Sequence, residues 1–232
     1  MAKGKKKDDG YEILEDPNAI VEKANEFFDS KKNRNLVFGL GGVIALIVIG
    51  FSGYNYYITD KNNEAQEEMY QAQYYFEQDS LAQGLNGDGN SYGFLDIMDL
   101  YSGTDAANLA KFYAGASYLR LGDYDGAIRQ LTDYSSSDYL LQARAYALVG
   151  DAYMEMDDFE NAVGYYEDAA SYKPNASFTP IYLKKLAIAQ EQNGANSAAA
   201  TTYGKIVKEY PRSAQIHDAK KNKARLEAIA SE

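Results

Sequence analysis

The chain contains no cysteine. That excludes disulfides, thiolate zinc sites and a lipid-modified cysteine. It leaves the compartment open, because many periplasmic proteins also lack cysteine. Tryptophan is absent too, and proline and histidine are scarce, at four residues and one. So few prolines in alanine-rich text favour helices over short-stranded β architectures. The lone His217 has no recognisable nucleophile or metal partner near it in sequence, so it offers no acid–base centre. No phosphate-binding loop, H-E-x-x-H or nucleophile triad pattern occurs. The segment Asn86–Gly93 has Asn86, Asp88 and Asn90 at calcium-loop spacing, but Ser91 stands where that loop requires Gly and Ile97 where it requires Glu. The expectation is therefore a protein that is not an enzyme, with no catalytic residue, no cofactor and no metal.

Basic residues are scarce in one region. Residues 60–172 carry five Lys/Arg against 21 Asp/Glu, while residues 1–35 carry eight of each and residues 173–232 carry ten against five. So acidic a body repels phosphate, and nucleic acid is not an expected partner. The basic C-terminal end reads most simply as a solvated cap, with an acidic partner or lipid headgroups as the other readings.

One run lacks charge altogether. From Leu36 to Ile58 the chain reads LVFGLGGVIALIVIGFSGYNYYI, with nothing charged between Arg34 and Asp60. As a helix at about 1.5 Å per residue it reaches across the ~30 Å hydrocarbon core of a bilayer. Tyr54, Tyr56 and Tyr57 at its end suit an interfacial aromatic belt. It is too long and starts too late for a cleaved signal peptide, and no small-residue cleavage site follows. Lys23, Lys31, Lys32 and Arg34 precede it, whereas Lys61 is the only basic residue after it until Lys111. The positive-inside rule then places the N-terminus in the cytoplasm and the large domain outside, in the periplasm of a two-membrane bacterium. Gly41 and Ala45 form a small-xxx-small pair along which another membrane helix can approach.

Ahead of the span, residues 17–30 predict a short helix, with Asp16 as cap and Pro17 at its first position. Ile20, Ala24, Phe27 and Phe28 fall on one face. Such a helix suits the inner-leaflet interface or docking on a membrane partner, with Phe27 and Phe28 as contacts. Residues 1–10, charged and glycine-containing, are expected to be disordered.

The remainder is repetitive. Two good copies, residues 108–134 and 143–174, and a weaker one, residues 180–211, align in steps of 35 and then 37 residues. Gly115 matches Gly150 and Ala187; Ala127 matches Ala162 and Ala199; Tyr124 matches Phe159; Pro174 matches Pro211. This period with these residue types is the tetratricopeptide signature. Each small residue admits a partner helix, and helix pairs of this kind must stack to bury their apolar faces. Residues 61–83 predict one helix, with Met69, Ala72, Tyr75 and Phe76 on its apolar face. Residues 92–101 predict its partner, and Ser213–Ala230 a basic capping helix. The predicted fold class is all-α: a single N-terminal transmembrane helix followed by a tetratricopeptide-like α-solenoid with a C-terminal capping helix. The expected domains are a cytoplasmic tail over 1–35, a transmembrane helix over 36–58 and a periplasmic repeat domain over 59–232.

The layout from Glu22 to Gln66, EKANEFFDSKKNRNLVFGLGGVIALIVIGFSGYNYYITDKNNEAQ, followed by the repeats, resembles the YfgM-like ancillary subunits of the SecYEG translocon. The Tyr-rich, Asn/Gly-rich text looks like a Bacteroidota version. The resemblance covers nearly the whole chain in architecture, although the repeats are closer to consensus than that family's. It implies a single-pass inner-membrane protein that links the Sec translocon to periplasmic chaperones or emerging chains. By repeat register, the protein-binding groove would include Phe112, Leu119, Arg120, Arg144, Asp151, Met154, Lys184 and Ile188. The competing reading is a periplasmic scaffold for envelope (outer-membrane) assembly or cell division. An enzymatic reading would need a titratable cluster with strongly perturbed pKa values in the folded groove.

Overall fold

The structure is a computed structural model that describes residues 17–230, with the side chains of residues 21–230. The Asp16 cap, the Ile20 side chain and residues 1–10 lie outside the described residues. The described residues form eleven helices and no strand. The chain divides into two units, Met1–Tyr57 and Ile58–Glu232.

The first unit holds α1 (Pro17–Asp29) and the N-terminal part of α2 (Lys31–Glu77). Ser30 alone separates the two helices, and its carbonyl accepts the Arg34 N–H at 3.0 Å. α2 is the one described helix long and apolar enough to cross a membrane, and none of its most apolar stretch is buried.

The second unit is a tetratricopeptide-like all-α solenoid. It continues with α3 (Leu81–Asn86), α4 (Phe94–Leu100), α5 (Asp105–Leu121), α6 (Tyr124–Asp133), α7 (Tyr139–Glu155), α8 (Phe159–Ser171), α9 (Thr179–Gln192), α10 (Asn196–Glu209) and α11 (Ile216–Ile229). Successive helices pack on one another, so each apolar stripe is covered by its chain neighbours. At the near end, Ala65, Met69 and Ala72 of α2 are buried with Phe94, Ile97 and Ala110. Phe76, Phe94 and Tyr113 form an aromatic cluster in which the last two rings stack 5.2 Å apart. Asn62 closes this end, its side-chain oxygen accepting the Ala106 N–H at 2.9 Å in the first turn of α5.

The single helix expected over 61–83 is broken in two. α2 stops at Glu77, Asp79 adopts a left-handed φ of 61°, and α3 starts at Leu81. The break is a Schellman stop: Ser80 N–H donates to Tyr75 C=O at 2.8 Å and Asp79 N–H to Phe76 C=O at 3.2 Å. The same pair of bonds recurs around Gly122, Asp157 and Gly194, so each following pair turns by one device. The next residue, Asp123 or Asp158, then caps the second helix by accepting Gly126 N–H at 2.9 Å or Asn161 N–H at 3.2 Å.

The small positions act where the repeat register puts them. Ala127, Ala162 and Ala199 are all fully buried. A methyl on Gly150 would lie 2.7 Å from the Tyr166 ring, and one on Gly115 would lie 2.5 Å from Leu131. Leu131, Tyr166 and Tyr203 are register equivalents and all buried, so one large side chain from each second helix fills the space beside one small position. The Asn86–Gly93 segment is a turn. Both Asp88 carboxylate oxygens are engaged, one by Asn90 and Ser91 N–H and the other by Tyr75 O–H at 2.7 Å. These donors hold the Asp88 carboxyl below its ordinary pKa.

Candidate functional site

The first helices of the three pairs, α5, α7 and α9, present equivalent turns side by side. Arg144, Leu148 and Asp151 on α7 correspond to Ile181, Lys185 and Ile188 on α9. Between these helices lies a groove of about 590 Å³, lined on α5 by Leu119 and Arg120, on α7 by Asp151, Met154 and Glu155, and on α9 by Lys185 and Ile188. Tyr124 and Tyr166 of the second helices complete its lining. A smaller hollow of about 320 Å³ adjoins it between α7 and α9, containing Arg144, Leu148, Phe178, Ile181 and Tyr182. Asp151 and Lys185 line both.

Those two residues form the bar between the hollows. Lys185 Nζ lies 2.5 Å from Asp151 Oδ1, and the Tyr166 hydroxyl donates to the same oxygen at 2.6 Å. The Lys185 ammonium also stands 5.7 Å from the centre of the Tyr166 ring. Burial first, and then the Asp151 charge, push the Tyr166 hydroxyl well above the usual tyrosine range. Tyr166 is thus a fixed donor rather than a base, and the bar is a positioned ion pair with apolar surface on both sides. At the α5 end Arg120 pairs with Asp79 at 2.5 Å and covers the Phe76 ring, 5.2 Å from its centre. This mixture of apolar walls and fixed charges suits a protein segment better than a reacting small molecule. Among the described residues no group of three or more His, Asp or Glu side chains is placed to hold a metal ion.

Of the residues expected from sequence, Leu119, Arg120, Asp151, Met154 and Ile188 share the larger groove, and Arg144 lies in the smaller hollow. Phe112 sits elsewhere, in the core with Ala127, Leu131 and Tyr134, its ring 5.5 Å from that of Tyr134. Lys184 reaches α11 and pairs with Asp218, next to His217. Phe27 and Phe28 are on α1; Gly41 and Ala45 are exposed on α2. Sequence reasoning missed Lys185, Ile181 and Tyr166. The signal was present: carrying Arg144, Leu148 and Asp151 forward by 37 residues selects Lys185 rather than Lys184.

No curated protein matches the chain. Residues 185–213 match the tetratricopeptide repeat family. The match falls on α9 and α10, the copy whose sequence looked weakest, and the protein therefore contains a tetratricopeptide repeat of the kind that serves protein–protein interaction.

Proposed function

We propose that the protein is a single-pass, membrane-anchored protein-binding scaffold without catalytic activity. Its N-terminus lies in the cytoplasm, α2 crosses the inner membrane over residues 36–58, and the repeat domain stands in the periplasm. There it is accessory to the Sec translocon and holds periplasmic chaperones or emerging chains near the exit. The observation that carries this reading is the α5–α7–α9 groove, with apolar walls on either side of its Asp151–Lys185 bar. The exposed apolar stretch of α2 supports the anchor, the basic flank before it supports the orientation, and the YfgM-like layout supports the translocon as partner. Tethering alone raises the effective concentration of groove and client, with no new contact required. Gly41 and Ala45 mark the face where a translocon helix would approach.

The test is affinity purification of the full chain from its native membrane in mild detergent, with mass spectrometry of the captured proteins. Translocon subunits should be recovered, and lost with Gly41→Leu. Recovery of outer-membrane assembly or division proteins alone would overturn the translocon reading in favour of an envelope scaffold.

A further inference from the structure

A second apolar surface lies outside the groove, on α1. At about 100° per residue, Val21, Ala24, Phe27 and Phe28 fall within an arc of roughly 120°. Glu22, Glu26 and Asp29 gather at the opposite pole, and Lys23 borders the arc beside Phe27. The apolar arc is open: Val21 is 59% exposed, Phe27 46% and Phe28 47%. The two Phe rings meet edge to face, 5.7 Å apart, so they form one aromatic wedge. Only Ser30 separates α1 from α2, and Leu36 opens the apolar run seven residues after Asp29, about 10 Å of helix.

Resting on the reading that α2 crosses a membrane, we propose that α1 lies in the plane of the phospholipid bilayer. Its Val21–Ala24–Phe27–Phe28 face sinks into the boundary between headgroups and acyl chains. Three features select a bilayer as the occupant. The hydrocarbon entered by α2 is the nearest apolar phase to the wedge. Lys31, Lys32 and Arg34, between wedge and span, stand where lipid phosphates are. The polarity of α1 is graded as an interface demands: acids face water, Lys23 sits at the edge where its stem can lie on the apolar side, and aromatics face down. The break at Ser30 lets α1 leave the axis of α2. Seated this way, α1 sets the depth of the span and holds it against sliding toward the other leaflet.

The chain has neither tryptophan nor cysteine, so one introduced Trp reports alone. Full-length Phe28→Trp, Glu26→Trp and Leu46→Trp variants are reconstituted in vesicles of phosphatidylethanolamine and phosphatidylglycerol, with and without brominated acyl chains. Emission and quenching by lipid bromine and by aqueous acrylamide are then read. The expected result is blue-shifted emission for Phe28→Trp, with lipid quenching several-fold stronger than for Glu26→Trp and weak acrylamide quenching. Equal, acrylamide-dominated quenching of Phe28→Trp and Glu26→Trp, with Leu46→Trp still quenched by lipid, overturns the proposal and leaves the anchor standing. Red emission from Leu46→Trp, unquenched by lipid, overturns both.

Discussion

In the pair α7–α8 the small position is Gly150 and the large side chain beside it Tyr166; in α9–α10 the equivalents are Ala187 and Tyr203. Both rings are buried, and each hydroxyl donates to a carboxylate on the first helix of its own pair: Tyr166 to Asp151 at 2.6 Å, Tyr203 to Glu191 at 2.9 Å. The carboxylates then diverge. Asp151 is completed by Lys185 across the groove, whereas Glu191 is completed by Arg225 of the capping helix. One tyrosine–carboxylate device thus braces the binding surface in one pair and fastens the end of the solenoid in the next. The turns differ in a complementary way. The second pair has a left-handed Asp157 followed by an Asp158 cap; the third has a relaxed Gly194 followed by Ala195, which offers no side-chain cap.

The largest effect is expected where the device fastens the end. Tyr203→Ala empties a fully buried site among α9, α10 and α11 and should cost about 3–5 kcal/mol in denaturant unfolding. Tyr203→Phe keeps the ring and should cost about 1 kcal/mol for the hydrogen bond alone. If the alanine variant lost no more than the phenylalanine one, the ring would not be what holds the end.

Alkaline pH probes both pairs at once. Burial raises the Tyr166 and Tyr203 hydroxyls above the ordinary value of 10.0, each reinforced by its carboxylate. Below pH 10 both are neutral in the folded and unfolded chain, and their contribution is fully present. Above it the unfolded chain releases protons that the folded one retains, so stability falls by about 1.4 kcal/mol per pH unit for each such tyrosine. Because tyrosinate absorbance sums over all 22 tyrosines, the readout is the free energy of urea unfolding, followed by helical circular dichroism, at successive pH values above 10. Tyr203→Phe should remove one proton's share of the slope; an unchanged slope would contradict the assignment.

Gly150→Ala is intermediate. The new methyl would meet the Tyr166 ring at 2.7 Å, and overpacking costs typically about 1–3 kcal/mol, while the helix regains about 1 kcal/mol from replacing glycine. A net loss of about 1 kcal/mol is expected by thermal unfolding, although the third pair carries alanine at this position naturally. Ala195→Asp runs the other way. It supplies the cap that Asp158 gives the second pair, for a gain of about 1 kcal/mol.

The sequence made the fold class legible because its evidence is periodic. Small residues at 115, 150 and 187 and again at 127, 162 and 199 recur in the same steps of 35 and then 37 residues, and that shared period requires stacked helix pairs. The break after Glu77 was not legible, since its left-handed residue is Asp79 rather than glycine and the helical pattern runs on through Leu81. Within the groove, Leu119, Asp151, Met154 and Ile188 follow from register alone. Lys185 also follows from register, from Leu148 carried forward by 37 residues, but neither it nor Tyr166, one tyrosine among 22, carries a mark of its partner. What distinguishes them is the shared carboxylate of Asp151, a contact that links positions 34 and 15 residues away.

The smallest expected effect tests whether the turn residue of the second pair is a compromise or a requirement. Asp157 has φ of 57° and its N–H bonds the Met154 carbonyl as part of the Schellman stop, the position filled by Gly122 and Gly194 in the neighbouring pairs. A left-handed conformation costs an ordinary residue roughly 1–2 kcal/mol, and glycine's greater unfolded-state freedom offsets roughly 0.5–1 kcal/mol of the relief. Asp157→Gly should therefore stabilise the domain by about 0.5 kcal/mol in urea unfolding without moving the Asp158 cap. A loss of stability instead would mean that the Asp157 side chain contributes something its backbone strain conceals, and the turns of the second and third pairs would then differ in kind rather than in degree.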